Sequence, residues 1–225
     1  MISGADKQIT IFSNEGKLYQ VEYSFNAVKN SGYTSIGVRG KDCVVVITQK
    51  KIPDKSVVSS STTHIFKVTE SIGVLFTGLL PDAKNVLLKM RQQALEFLDN
   101  FGYHIPITVL AQKISEECQF YTQQAHMRPL CVISLLFSFD EEKGPQLIKI
   151  DPAGHYLGYK ACATGEKEES LTSYLERENS SLIYMVNYLM QKSAKPENGY
   201  YLYNHQELFE VLQKLSKENK KVILF

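Results

Sequence analysis

Residues 81–101, PDAKNVLLKMRQQALEFLDNF, and residues 106–121, PITVLAQKISEECQFY, decide the fold. In the first stretch Leu87, Met90, Ala94, Phe97, Leu98 and Phe101 recur at spacings of three and four, the stripe of a long helix with one buried side. In the second, Ile107, Leu110, Ile114, Cys118 and Tyr121 repeat the pattern. Pro81-Asp82 opens the first helix, Gly102 ends it, and Pro106 opens the second. Two helices therefore follow one another with no strand between them. A doubly wound parallel sheet requires strict strand–helix alternation, so that architecture is excluded.

Strands are predicted on both sides of the helix pair. Before it stand Thr34 to Val38, Cys43 to Thr48, Ile72 to Phe76 and a shorter run, Ile65 to Val68, with Gly40 and Asp42 marking a turn. Val44-Val45-Val46-Ile47 is apolar on both faces, which predicts a strand between two covering layers. After the pair come Val132 to Phe139, Gln146 to Ile150 and Tyr156 to Lys160. Leu18, Val21, Phe25 and Val28 predict a short helix over 17–29, broken by Asn30-Ser31-Gly32. Beyond residue 165, Leu171, Tyr174 and Leu175 mark one helix, and Leu182, Ile183, Val186, Leu189 and Met190 another. A last helix starts near Asn204, with Glu207 completing a capping-box-like start and Leu208, Leu212 and Leu215 as its buried edge. Strands, two helices, strands, two helices is the order of an α+β, four-layer αββα sandwich of two antiparallel sheets. At 225 residues the chain suits one domain, 1–225.

Composition narrows the function classes. A formal net charge of +1 gives no basic surface for nucleic acid or acidic membrane. No long uncharged apolar run predicts a membrane span, and Met1-Ile2-Ser3-Gly4 lacks a signal-peptide pattern. Cys43, Cys118, Cys131 and Cys162 are widely spaced without a CxxC pair, which fits reduced thiols better than zinc. The five histidines (64, 104, 126, 155, 205) have no metal-ligand spacing, and no cofactor is expected. Ser59-Ser60-Ser61 reads as a polar loop because no Gly-x-Ser-x-Gly elbow surrounds it. Glu166 to Glu169 reads as a helix start favoured by the dipole. Lys214 to Lys221 reads as an exposed basic face, with a localisation or partner-binding patch as the functional alternative, and Asp151-Pro152-Ala153-Gly154 as a tight turn between strands, with ring contact as the functional alternative.

The segment Ile9 to Ser24, ITIFSNEGKLYQVEYS, closely resembles the N-terminal signature of proteasome alpha subunits. Further matches follow in order: Thr77-Gly78-Leu79, Tyr121-Thr122-Gln123 with Arg128-Pro129, Asp151-Pro152-Ala153-Gly154, and Ser173-Tyr174-Leu175-Glu176. Val38 to Cys43 and Thr63 to Val68 look most like the alpha type-6 (alpha-1) branch of that family. The resemblance covers nearly everything to Arg177 and implies the N-terminal-nucleophile hydrolase form of the sandwich. Four features depart from the family. Ala5, Asp6 and Lys7 stand where an aromatic residue and an Asp-Arg pair are usual, Asn14 replaces a proline, and Cys131 replaces a glycine. Lys195-Pro196 leads directly to Glu197, where relatives have a further strand; a lost strand and residues absent from the sequence both fit.

Catalytic relatives use a threonine at a freed chain terminus, whose own amine takes its hydroxyl proton, with a lysine and an acid in support. By resemblance those positions fall on Tyr33, His64 and Gln49 respectively, and none keeps the chemistry. Thr34 is adjacent but not terminal. The resemblance thus implies a non-catalytic member of the alpha ring, not an enzyme. Its partners would be other alpha subunits in a heteroheptameric ring, the beta ring, and the regulatory particle or other activators. It would act in ubiquitin-dependent degradation in cytoplasm and nucleus, with no nucleic-acid or membrane partner. Residues 1–14, with Asp6 and Lys7, would serve the gate, and the 17–29 helix would lie across the degenerate cleft. Gly16, Leu18, Glu22, His64 and Gly78 match positions around a pocket for activator tails, and Tyr121 and Arg128 match ring contacts. Two other classes stand beside this reading: an active N-terminal-nucleophile threonine hydrolase, exposed by cleavage, and a freestanding binding module.

Overall fold

The computed structural model describes residues 12, 13, 15–52, 54–58, 61–124, 127–140 and 142–175. The chain divides at Ser173 into two units, and nearly everything described lies in the first, Met1–Ser173. Residues 1–11 and 14 of the expected gate segment, and the helices and basic run beyond residue 175, lie outside the described residues.

Two antiparallel sheets form. The smaller orders its strands β2-β1-β8, from Val44–Thr48, Thr34–Arg39 and Ala161–Gly165. The larger orders them β3-β4-β5-β6-β7, from Ile65–Lys67, Ile72–Gly78, Val132–Asp140, Gly144–Ile150 and Tyr156–Gly158. Sequence reading carries the last strand on to Lys160 and gives none after it. The chain instead ends β7 at Gly158 and reopens as β8, which leaves the larger sheet to pair with β1, Gly37 opposite Cys162. β2 is a second correction. It is an edge strand, and Ile47 is exposed while Val44 and Val46 pack inward, so it is covered on one side among the described residues.

Helix α1 spans Tyr19–Lys29, two residues shorter at its start than its periodicity suggests, because Gly16 takes a left-handed turn (φ 75°) and Lys17 and Leu18 form the entry. Helices α2 (Leu80–Phe101) and α3 (Ile107–Gln123) lie side by side on the outer face of the larger sheet. Their stripes bury Val86, Leu87, Met90, Ala94 and Phe97 from α2 and Leu110, Ile114 and Cys118 from α3. These meet Ile72, Val74, Phe76, Val132, Leu136, Ile148 and Ile150 of the sheet. Phe101 is the exception, exposed although it continues the stripe. Gly102 caps the helix in the left-handed region, its N–H bonded to Leu98 O at 2.8 Å, so the sheet no longer lies under the last turn. Phe101 stacks instead on Phe97, ring centroids 4.5 Å apart.

Between the sheets the packing is closer. Leu75, Leu135, Leu147 and Cys162 form a small cluster with Val44, Val46 and Phe137. Gly37 and Gly73 make it possible: a Cβ on Gly37 would sit 3.0 Å from Leu147, and one on Gly73 2.4 Å from the Phe137 ring. α1 closes one end of this space, packing on β4, β5 and β8 with Ser24 and Val28 buried beneath it. The last helix described, α4 (Glu168–Leu175), is tied down by Glu168 to Lys149 at 2.6 Å and by Glu169 to Lys29 at 2.9 Å. The acidic run read as a solvated helix start thus holds two lysines as well.

Candidate functional site

The site is the end of the inter-sheet space beneath α1. Tyr33 enters it after Gly32, whose φ of 73° lets the chain turn from α1 into β1. The Tyr33 carbonyl accepts the Glu166 N–H at 3.1 Å, and Gly165 lies so close that a Cβ there would be 2.0 Å from the same oxygen. Tyr33 is therefore clamped in mid-chain, with no free amine to act as a base.

The structure brings together the positions that sequence reading aligned with a protease site. The His64 imidazole lies against the Tyr33 ring, centroids 4.5 Å apart. The Gln49 N–H donates to Thr34 O at 3.1 Å. Lys51 Nζ stands 5.9 Å from the centroid of the Tyr33 ring. His64 is only 4% exposed, and burial, with help from the nearby Lys50 charge, pushes its pKa below the usual histidine value. It is a neutral ring in the wall of the cleft.

Hydroxyls line the rest. Thr77 Oγ1 donates to Ser35 Oγ at 2.8 Å, and Ser35 Oγ bonds Thr48 Oγ1 at 2.8 Å. These three groups bond one another rather than His64 or a carboxylate, so none of the three has a base to activate it. Thr34 Oγ1 and Thr164 Oγ1 are buried with no hydrogen-bond partner.

The other predicted positions fall as follows. Gly16 and Glu22 are exposed and Leu18 is half-buried at the entry to α1, where the Leu18 carbonyl accepts the Val21 and Glu22 N–H groups at 3.2 and 3.1 Å. Gly78 ends β4 at φ 131°, with Cys131 O 2.3 Å from where a Cβ would sit. Among the described residues no hydrogen bond or ion pair joins Glu22 to His64. Asp6 and Lys7 lie outside the described residues. Tyr121, half-buried on the last turn of α3, accepts a bond from Lys89 Nζ at 3.2 Å, and Lys89 also pairs with Glu117.

Arg128 is not the free surface arginine that its loop position suggests. Its guanidinium grips Asp82 with two bonds, 2.7 and 2.8 Å, and the Cys131 N–H adds a third at 2.9 Å. Burial pushes the Asp82 pKa up, but these three donors outweigh it and hold the carboxyl below its ordinary value. The clamp fastens the loop before β5 to the first turn of α2. Sequence reading assigned Asp82 only to the helix start; the pairing spans 46 residues and no local pattern signals it. The Asp151 turn is as expected: its Oδ1 accepts the Ala153 and His155 N–H groups at 3.0 and 2.9 Å.

Residues 29–185 match the family model for proteasome subunits, and residues 6–27 match the model for the N-terminal signature of the A-type members. The chain belongs to the proteasome alpha-subunit family. A Schizosaccharomyces pombe protein described as "Probable proteasome subunit alpha type-1" is 47% identical over 174 residues, 77% of this chain and 71% of the relative. The Caenorhabditis elegans proteasome subunit alpha type-6 is 39% identical over 175 residues, 78% of this chain and 71% of the relative. The Trypanosoma brucei brucei proteasome subunit alpha type-1 is 39% identical over 171 residues, covering 74% and 64% of the two chains. Alpha subunits are the outer-ring, generally non-catalytic members of the proteasome, and the cleft around Tyr33 has the contents of such a member.

Proposed function

We propose that this chain is a structural alpha subunit without peptidase activity of its own. It takes a place among other alpha subunits in a heteroheptameric ring, rests on the beta ring and helps gate substrate entry for ubiquitin-dependent degradation in cytoplasm and nucleus. One observation carries the non-catalytic part. Where a terminal nucleophile would be required, Tyr33 is held inside the chain by Glu166 and crowded by Gly165. Incubation of the purified full chain with an epoxyketone inhibitor, followed by intact-mass analysis, tests it. The expected result is an unlabelled, uncleaved chain; a labelled chain starting at Thr34 overturns the reading. The ring is tested by native mass of the complex, where a stable monomer as the only form overturns it.

In this reading Gly16, Leu18, Glu22, His64 and Gly78 surround an activator-tail pocket, and Tyr121 and Arg128 support ring contacts. The burial of His64 favours a neutral wall, with the exposed Lys50 beside it supplying positive charge to a tail carboxylate. Tail-peptide affinity for assembled particles is then the same at pH 6 and pH 8, and Lys50→Ala weakens it. Tightening at low pH that disappears in His64→Gln would overturn that assignment.

A further inference from the structure

At the other end of the sandwich lies a groove unconnected with the Tyr33 cleft. β1 runs from Thr34 at the cleft to Arg39 at the groove, roughly 17 Å at about 3.3 Å per residue. The groove encloses about 430 Å³ between the end of β1, the middle of β6, the edge strand β7 and Thr108 at the start of α3. Arg39 and Lys143 supply positive charge, Leu147 and Leu157 an apolar floor, and no carboxylate lines it among the described residues. Arg39 makes no ion pair among the described residues. Lys143 has Asp140 near it, and Asp140 also accepts the Lys143 main-chain N–H at 2.9 Å.

Among the described residues no strand pairs with the outer edge of β7, and its register says which groups it presents. Tyr159 N donates to Leu147 O at 2.8 Å, and Asp151 N donates to His155 O at 3.0 Å. Hydrogen-bonded pairs alternate along an antiparallel ladder, and Leu157 stands opposite Lys149. His155, Leu157 and Tyr159 thus turn their main-chain groups to β6, while Tyr156 and Gly158 turn theirs outward. The next outward position is already used in strand fashion: Lys160 O accepts Arg39 N at 2.7 Å. The outward groups of Tyr156 and Gly158 have no main-chain partner among the described residues. Leu157 is 48% exposed, and an unpaired strand edge with an apolar side chain is a template for another chain.

We propose that this groove docks an extended, acidic segment of another protein chain, added to β7 as a further strand. Main-chain bonds to Tyr156 and Gly158 hold it, Leu157 packs under it, and Arg39 with Lys143 pairs with its carboxylate. Strand addition supplies affinity and side-chain complementarity selects the segment. The acidic character follows from the two cations and from the lack of a carboxylate among the described lining residues.

Calorimetric titration of the full chain with an acetylated, amidated pentapeptide, Thr-Glu-Val-Glu-Thr, tests this. Binding is expected to weaken about tenfold when both glutamates become glutamine, and similarly in Arg39→Glu, with a loss on raising salt. Gly158→Pro removes one outward N–H at a position with room for a side chain, where the nearest atom to an added Cβ is Leu147 O at 3.9 Å. It is expected to abolish binding, and a pentapeptide N-methylated on its middle three residues is expected to fail on the unaltered chain. That second measurement does not depend on any variant folding. Equal binding of the glutamine peptide, unaffected binding of the N-methylated peptide, or no binding at all overturns the proposal. So does inorganic phosphate that binds and displaces the pentapeptide regardless of methylation, since that marks an anion site.

Discussion

The two faces of the five-stranded sheet are built from the same strands and do opposite work. Ile72, Val74 and Phe76 of β4 face α2 and α3 within a large apolar cluster. Leu75 and Thr77, their alternating neighbours, face the smaller sheet, where the apolar cluster is small and gives way to the hydroxyls of Ser35, Thr48 and Thr77. Among the described residues the helix face holds the larger apolar core. The inter-sheet face supplies shape: glycines that let two strands approach, a buried histidine, and hydroxyls that bond one another rather than that histidine. A fold whose stability rests on one face can lose reactive chemistry on the other without coming apart.

Leu136→Ala breaks the helix face and has the largest expected effect. Leu136 is fully buried, so the lost transfer energy and the cavity together cost about 3 kcal/mol. A urea midpoint that barely moves would show that this face is not the dominant core. Gly165→Ala tests the inter-sheet face by crowding rather than by a void. The clash with the Tyr33 carbonyl and the φ of 106° together predict a loss of about 2 kcal/mol. Thermal melts would show it, and a neutral result would mean that Tyr33 is free to shift.

Arg128→Ala attacks the clamp between the helix layer and β5. Charge-assisted bonds of this kind contribute about 1.5 kcal/mol, discounted here because the arginine is itself half exposed. The Asp82 pKa lies below its unfolded value, so the pair's contribution is complete above about pH 4 and is lost as pH falls through the folded pKa. Denaturation series from pH 8 to pH 3 should show a constant gap between the two proteins that closes only in acid. His64 has the opposite chemistry. Its folded pKa is below the unfolded value near 6.5, so the unfolded chain takes up a proton first. Stability should fall as pH drops through about 6.5 by less than the ~1.36 kcal/mol per pH unit that one proton allows, and His64→Gln should remove that slope. The smallest effect is expected at Thr164. Its hydroxyl is buried without a partner, so Thr164→Val should stabilise by up to about 1 kcal/mol. A loss instead would mean that an ordered water satisfies the hydroxyl in solution.

How much of this is legible in the sequence varies by residue. The stripes of Leu87, Met90, Ala94 and Phe97 and of Ile107, Leu110, Ile114 and Cys118 lie where their spacing puts them, because a helix buries whatever recurs on one side of it. Phe101 continues the same stripe and is exposed, because periodicity does not know where the sheet beneath ends. β8 escapes sequence reading for a different reason. Ala161-Cys162-Ala163-Thr164-Gly165 has small side chains and no clear alternation, and its strand form comes from pairing with β1, more than 120 residues earlier in the chain. In the cleft, the aligned positions Tyr33 and His64 do meet, yet residue type alone does not say whether His64 is a surface cation or a buried neutral ring.

A pair of helices set between runs of strands, two antiparallel sheets and membership in the proteasome alpha family are legible in the residues alone, as are the identities of Tyr33, Gln49 and His64. These follow from local patterns and residue identities, which are properties of neighbours along the chain. Folding alone shows that Arg128 closes on Asp82, that Ser35, Thr48 and Thr77 satisfy one another, that His64 is buried, and that Tyr156 and Gly158 turn away from β6. Each depends on which distant groups arrive at the same place and how much water they exclude, and burial and partnership are set by the folded path of the chain.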